Sequence, residues 1–146
     1  MPSNVRITLV SVVSDDLVRD FGKLIPQLSP SALAPTRERL ERIVADSNTQ
    51  IIAAQLDNGR TVGVLTLTFM TIPTGEKAVI DDVVTDVEHR GSGIGRMLVE
   101  MAVAEARRRG VGQVVLTSNP SRTAARKLYA GCGFQPVDTT LFRLLL

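Results

Sequence analysis

The chain carries one cysteine (Cys132), one histidine (His89) and no tryptophan, and these scarcities exclude more chemistry than its abundant residues do. A lone cysteine closes no intrachain disulfide, and with a lone histidine it makes no Cys/His set for zinc, so no metal is expected. An excess of charge of one sign is also missing. The formal net charge is +2, which argues against nucleic acid as a partner. The cluster Arg107-Arg108-Arg109 fits the last turn of a helix instead, where cations complement the dipole and Gly110 suits the turn that follows. No apolar run reaches the ~18 residues of a membrane span, and Met1 to Arg6 lacks the charged-then-apolar layout of a secretory signal. The expectation is a soluble cytoplasmic protein with no membrane partner.

What is present reads as an ordinary globular chain. At 146 residues with 44% hydrophobic and 22% charged content, it is large enough for one core, so residues 1–146 are taken as a single domain. Val5 to Val13 is β-branched and roughly alternating, as in a strand. Asp15 and Asp16 open a helix with Leu17, Phe21, Leu24 and Leu28 on one face, its extent limited by Pro26 and Pro30. A second helix follows Thr36 as N-cap. Thr49 to Leu56 and Thr61 to Thr71 flank Asp57-Asn58-Gly59-Arg60, a strong hairpin signal. Ala78 to Thr85 makes a fourth strand, Ile94 to Arg109 a helix and Val111 to Thr117 a buried fifth strand. Arg122 to Ala130 makes a last helix ending at Gly131 or Gly133, and alternating Phe142, Leu144 and Leu146 predict a terminal strand.

Between the fourth strand and its helix lies Arg90-Gly91-Ser92-Gly93-Ile94-Gly95. Glycines let a backbone curl and present its N–H groups, and a helix N-terminus adds unpaired donors and a positive dipole end, so this corner suits a phosphate. It is not a Walker A loop, because Gly95 is followed by Arg96 and Met97 rather than Lys and Ser or Thr. Nor is it a dinucleotide fingerprint: counted from Gly91, the third glycine falls at Gly95, one residue early. The remaining pattern, Arg-x-x-Gly-x-Gly, resembles the acetyl-CoA pyrophosphate loop of the GNAT superfamily of N-acetyltransferases. Leu128-Tyr129 with Gly133-Phe134 also stand in that family's sequence, and the order of elements matches over nearly the whole chain.

The resemblance implies an α/β (α+β) GNAT-like domain with a mixed, mostly antiparallel sheet and about four helices. It further implies acetyl-CoA as cosubstrate and direct transfer of acetyl to a primary amine of a small molecule or protein. Backbone groups from Gly91 to Gly95, including Ser92 and Ile94, would receive the pyrophosphate, with Arg90 and Arg96 adding charge. Val83, Val84 and Thr85 would pair with the pantetheine arm. Asn119 invites comparison with an asparagine that relatives use on that arm, although it stands further from Tyr129 than is common. Arg122 and Ala125 belong to a form seen in some relatives, and Arg122 lies either near the cofactor phosphates or on the helix surface.

The proton source implied for the departing thiolate is Tyr129, the chain's single tyrosine. A phenol stays neutral near pH 7 and can donate. Family relatives often carry an acid on the fourth strand, and adjacent acids occur there in the glucosamine-phosphate acetyltransferase branch. Asp81 and Asp82 are consecutive on that strand, so only one is expected to face the cleft. The base is Asp81, Asp82 or water, with Asp81 ahead; an aspartate here serves equally to bind the substrate ammonium, or one of the pair is simply solvated at the sheet opening. Cys132 has no second histidine to activate it and reads as a small buried residue, and His89 reads as a loop residue. A non-catalytic acyl-CoA sensor on the same fold is the rival reading, opposed by Tyr129; plain nucleotide binding suffers from the missing Walker Lys. The apolar tail Leu144-Leu145-Leu146 is costly to expose in a large patch and makes a homodimer the expected partner state.

Overall fold

A computed structural model describes residues 4–146. The elements run β1 (Val5–Leu9), α1 (Asp15–Leu28), α2 (Arg37–Ala45), β2 (Thr49–Leu56), β3 (Thr61–Ile72), β4 (Gly75–Thr85), α3 (Ile94–Arg109), β5 (Gln113–Val115) and α4 (Thr123–Gly131). The strands form one sheet in the order β1-β2-β3-β4-β5. All neighbours are antiparallel except β4 and β5, which pair in parallel over Lys77–Val79 and Gln113–Val115. The mixed, mostly antiparallel sheet with four helices is the architecture expected from the sequence.

Alternation along the strands feeds two apolar layers. On one face Ile52, Leu65, Leu67 and Ile80 pack with Leu98, Val99 and Ala102 of α3. On the other, Ile51, Ala53, Val64 and Val84 meet Leu17, Phe21 and Leu24 of α1 and Leu40 of α2. The helix starts follow from capping chemistry: Ser14 Oγ accepts from Leu17 N–H and Thr36 Oγ1 from Arg39 N–H, both at 3.1 Å. At the end of α3, Gly110 takes a left-handed φ of 74°, and the N–H groups of Gly110 and Val111 return to the carbonyls of Arg107 and Ala106.

α1 ends at Leu28, as its apolar face predicts, with Pro26 inside it. Pro26 lies in the last turn, where the lost hydrogen bond is outweighed by burial of Phe21, Leu24 and Ile25. β1 stops at Leu9, and β5 is three residues long and half-buried rather than a long buried strand. No strand forms after Phe134 among the described residues: Phe142 and Leu144 to Leu146 are exposed coil, their alternation without a neighbouring strand to pair with. Arg109 is more than a solvated helix end, because its guanidinium stacks 4.0 Å from the Phe69 ring centroid and donates to Ser47 O. No helix among the described residues is long and apolar enough to cross a membrane.

Candidate active site

The short pairing of β4 with β5 decides where the site lies. Beyond Val79, β4 runs on to Thr85 while β5 ends at Val115, so the two chains part and a cavity of about 700 Å³ opens between them. One wall is apolar, from Phe21, Ile25 and Leu28 of α1 and Leu40 and Ile43 of α2. Asp81, Asp82 and Val83 line it from β4, and Thr117, Arg122 and Tyr129 from the opposite side.

Both acids reach the cavity, contrary to the expectation that strand alternation admits one. The register passes from Val64 opposite Val84 to Thr66 opposite Asp81, so Leu65 alone faces Asp82 and Val83. This is a β-bulge, and Asp82 sits in it at φ 51°, the single positive-φ non-glycine residue among those described. Aspartate tolerates that conformation better than most residues. The extra residue resets the alternation: Val83 joins Ile80 on the α3 face, and Val84 enters the α1/α2 layer. Burial of the Asp81 carboxyl, and then the charge of Asp82, raise its pKa above the ordinary carboxylate value.

Tyr129 is held by the way α4 ends. Gly133, at φ 94°, donates to Ala130 O, and Phe134 donates to Tyr129 O, closing the helix in a Schellman turn. Such turns bring the residue after the glycine against the side chain five positions back. Here the Phe134 ring meets Tyr129 edge-on at 6.1 Å and 64°. Gly133-Phe134 thus orients the phenol. Burial raises the Tyr129 pKa, Arg122 opposes that shift and Cys132 adds to it. α4 in turn lies close on α3, because a Cβ on Gly95 would stand 2.9 Å from Leu128 Cδ1.

At the far end of β4, a 3₁₀ turn (Val87–His89) leads into the glycine corner. Gly91 and Gly93 take φ of 78° and 87°, and Gly93 is the N-cap of α3 without a capping side chain. The first helical return is Met97 N–H to Gly93 O, so the N–H groups of Ile94, Gly95 and Arg96 have no partner within the helix. Ser92 Oγ donates to His89 O at 2.6 Å, pinning the corner. These are donors suited to a diphosphate.

The other expected contacts are distributed unevenly. Arg90 Nε donates to Thr85 O, and Arg96 bridges Glu100 and Gly131 O, so Arg96 ties α3 to α4. Asn119 Oδ1 accepts from the N–H and Oγ of Ser121, shaping the turn before α4, and Asn119 does not line the cavity. Ala125 is half-buried on α4, one helical turn before Tyr129. Val84 and Thr85 pair with Val64 and Gly63 of β3. Cys132 is partly buried at the end of α4, and burial raises its pKa.

A charged cluster beside the glycine corner escaped the sequence reading. Asp86 is 1% exposed, with Arg60 Nη2 at 2.8 Å, His89 Nδ1 at 3.3 Å and Lys23 Nζ at 3.8 Å from Oδ2, while Gln27 Nε2 donates to Oδ1 at 3.1 Å. Burial alone would raise the Asp86 pKa, but Gln27, Lys23, Glu88 N–H and His89 together bring it below the ordinary value. Its partners on α1 and the hairpin lie 26 to 63 positions away, and no local pattern marks them.

Comparison with known proteins identifies the family. Residues 13–134 match the family model described as Acetyltransferase (GNAT) family. Glucosamine 6-phosphate N-acetyltransferase 1 of Oryza sativa subsp. japonica is 33% identical over 128 residues, which cover 82% of this chain and 75% of the rice protein. Mycothiol acetyltransferase of Thermobispora bispora is 42% identical over 62 residues, 42% of this chain but only 20% of that enzyme. The crystal structure of glucosamine-6-phosphate N-acetyltransferase from Arabidopsis thaliana superposes with a TM-score of 0.80 at 20% identity, covering 95% of this chain and 98% of that one, a likeness of fold. The chain therefore belongs to the acetyltransferase (GNAT) family, whose cosubstrate is acetyl-CoA, and is an N-acetyltransferase.

Proposed function

We propose that the acceptor is a small primary amine, held in the cavity between α1, α2 and β4, and that Asp81 and Tyr129 carry the two proton transfers. The observation that carries this reading is that Asp81, Asp82 and Tyr129 line one cavity where β4 leaves β5. Backbone N–H groups from Gly91 to Gly95 receive the diphosphate of acetyl-CoA, and the unpaired edge of Val83 to Thr85 receives its pantetheine amides. Asp81 accepts a proton from the acceptor ammonium, directly or through water, and a raised pKa brings a carboxylate nearer to the basicity this needs. The amine then attacks the thioester carbonyl, forming the C–N bond. As the C–S bond breaks, Tyr129 gives its phenolic proton to the thiolate and recovers one from the surplus on nitrogen.

Arg39 and Arg122 line the same cavity and form no salt bridge among the described residues. Cations sharing a cavity with an acid pair favour an acceptor bearing an anionic substituent, as an amino sugar phosphate does, in keeping with the substrate in the rice relative's name. A volume near 700 Å³ is in the range of small-molecule sites. Thiol release from acetyl-CoA over a panel of amines tests this: phosphorylated amino sugars are expected to outpace their neutral parents, and a flat response across the panel refutes the acceptor class.

The tail supports a homodimer. Leu141, Phe142, Leu144, Leu145 and Leu146 are each at least 75% exposed, an apolar run that a second copy would cover. A solution mass of one chain, unchanged on deleting residues 139–146, refutes that arrangement.

A further inference from the structure

The last turn of α1 is fastened to the approach to the glycine corner by one side-chain amide. Gln27 Oε1 accepts from Val87 N–H at 2.8 Å, while its Nε2 donates to Asp86 Oδ1 at 3.1 Å and to Lys23 O at 3.2 Å. Every group of the amide is engaged, across a separation of 59 and 60 positions. On one side of the clamp, Ile25, Leu28 and Ser29 line the cavity assigned to the acceptor. On the other, the turn from Val87 to His89 leads directly into the corner, and Ser92 Oγ is bonded to His89 O. Asp86 is itself fixed by Arg60, so the clamp has an anchored end. Two hydrogen bonds thus join the approach to the corner to the helix that walls the acceptor cavity.

We infer that Gln27 and Asp86 are positioning residues that make the acetyl-CoA and acceptor sites depend on one another. The inference rests on the reading that residues 91–95 hold the diphosphate. Neither side chain touches a reacting atom, so its loss acts on binding rather than on the chemical step. Coupling of this kind is reciprocal: whatever ordering acetyl-CoA imposes on the α1 wall, the acceptor returns to the glycine corner.

The test compares Gln27→Ala, Lys23→Ala and Gly93→Val. Acetyl-CoA titration calorimetry and steady-state kinetics with the best amine of the panel are the readouts. Loss of hydrogen bonds of this type corresponds to about fivefold in an equilibrium constant. Gln27→Ala is expected to raise the acetyl-CoA Kd and the acceptor KM together by about that factor, with kcat changed less than about twofold. Lys23→Ala removes a contact of 3.8 Å at a half-exposed lysine and leaves the clamp, so both constants should hold. Gln27→Ala that lowers the melting temperature alone, or shifts kcat alone, overturns the inference. Should Gln27→Ala fail to fold, Gln27→Met, which keeps the length of the side chain and neither of the hydrogen bonds to Asp86 and Val87, gives the same readout. Gly93→Val separates the two levels: if it leaves acetyl-CoA affinity unchanged, the diphosphate reading falls and the clamp's role with it; if it abolishes binding while Gln27→Ala changes nothing, only the clamp falls.

Discussion

Tyr129→Phe removes one oxygen from the site and leaves the rest of the ring's surroundings in place. The edge-on contact with Phe134 depends on the ring, and the turn that holds it depends on backbone groups of Tyr129, Ala130, Gly133 and Phe134, all of which the variant keeps. Stability should therefore change by no more than about 1 kcal/mol. A positioned general acid contributes roughly 10²- to 10⁴-fold, which is about 3 to 5 kcal/mol of transition-state stabilisation. The variant should lose kcat by that factor while its acetyl-CoA Kd stays within about twofold. The pH profile adds a second signature. Burial raises the phenol pKa above its ordinary 10.0, so the proton it donates stays available through neutral pH and into the alkaline range. In the wild type, the rate should rise as Asp81 ionises and fall only above pH 10; in Tyr129→Phe the alkaline fall should vanish. Thiol release at saturating acetyl-CoA, measured across pH, reads both. A variant that keeps more than half of the wild-type kcat, with the alkaline fall intact, refutes Tyr129 as the acid.

Four further outcomes follow from other parts of the fold. Asp81 works as a base only when ionised, and its raised pKa places the acid limb of the rate above the ordinary carboxylate range; Asp81→Asn should lose about a hundredfold in kcat and that limb together. A Cβ on Gly63 would meet Ile94 Cγ2 at 3.0 Å and Leu98 Cδ1 at 3.2 Å, so Gly63→Ala should cost about 1–3 kcal/mol in urea unfolding and weaken acetyl-CoA binding by displacing the start of α3. Asp82→Val puts a β-branched side chain at φ 51° and should cost about 1–2 kcal/mol, whereas Asp82→Asn should be nearly neutral in the same unfolding assay. Asp86 has a lowered folded-state pKa, so the stability it supplies is complete above the unfolded value near 4 and is lost as pH falls through the folded value; Asp86→Asn should flatten that acid loss and be less stable at neutral pH, as read by melting temperature from pH 2 to 7.

The parts of the fold legible in the sequence are those written in local chemistry. Ser14 and Thr36 mark helix starts because a side-chain oxygen reaches an N–H three positions on, and both make that bond. Asn58-Gly59 marks the β2–β3 turn because glycine there adopts φ 85°. Gly110 marks a helix end for the same reason, and of Gly131 and Gly133, both open as the end of α4, it is Gly133 that takes the left-handed turn. The misjudged segments depend on what lies alongside. Val10 to Val13 and Phe142-Arg143-Leu144 both read as strand, but β1 ends at Leu9 and the tail has no neighbouring strand among the described residues.

The candidate site divides along the same line. The glycine corner and Tyr129 with its Gly133-Phe134 turn are contiguous motifs, each closing through bonds spanning five residues or fewer, so a family resemblance can be carried by them in the sequence. The disposition of Asp81 and Asp82 is not carried in this way, because it depends on which residues of β3 they oppose. An unbroken strand sends the two carboxylates to opposite faces; one extra residue opposite Leu65 brings both to the cavity and also turns Val83 toward α3. That insertion has no composition of its own, apart from an aspartate able to accept a left-handed φ. The Gln27–Asp86 contact is further removed still, since it exists only once α1 has packed across the end of β4. The glycine corner and the Tyr129 turn are therefore written locally, while what brings the acid pair to one cavity and sets Gln27 against Asp86 is written in the pairing of distant segments.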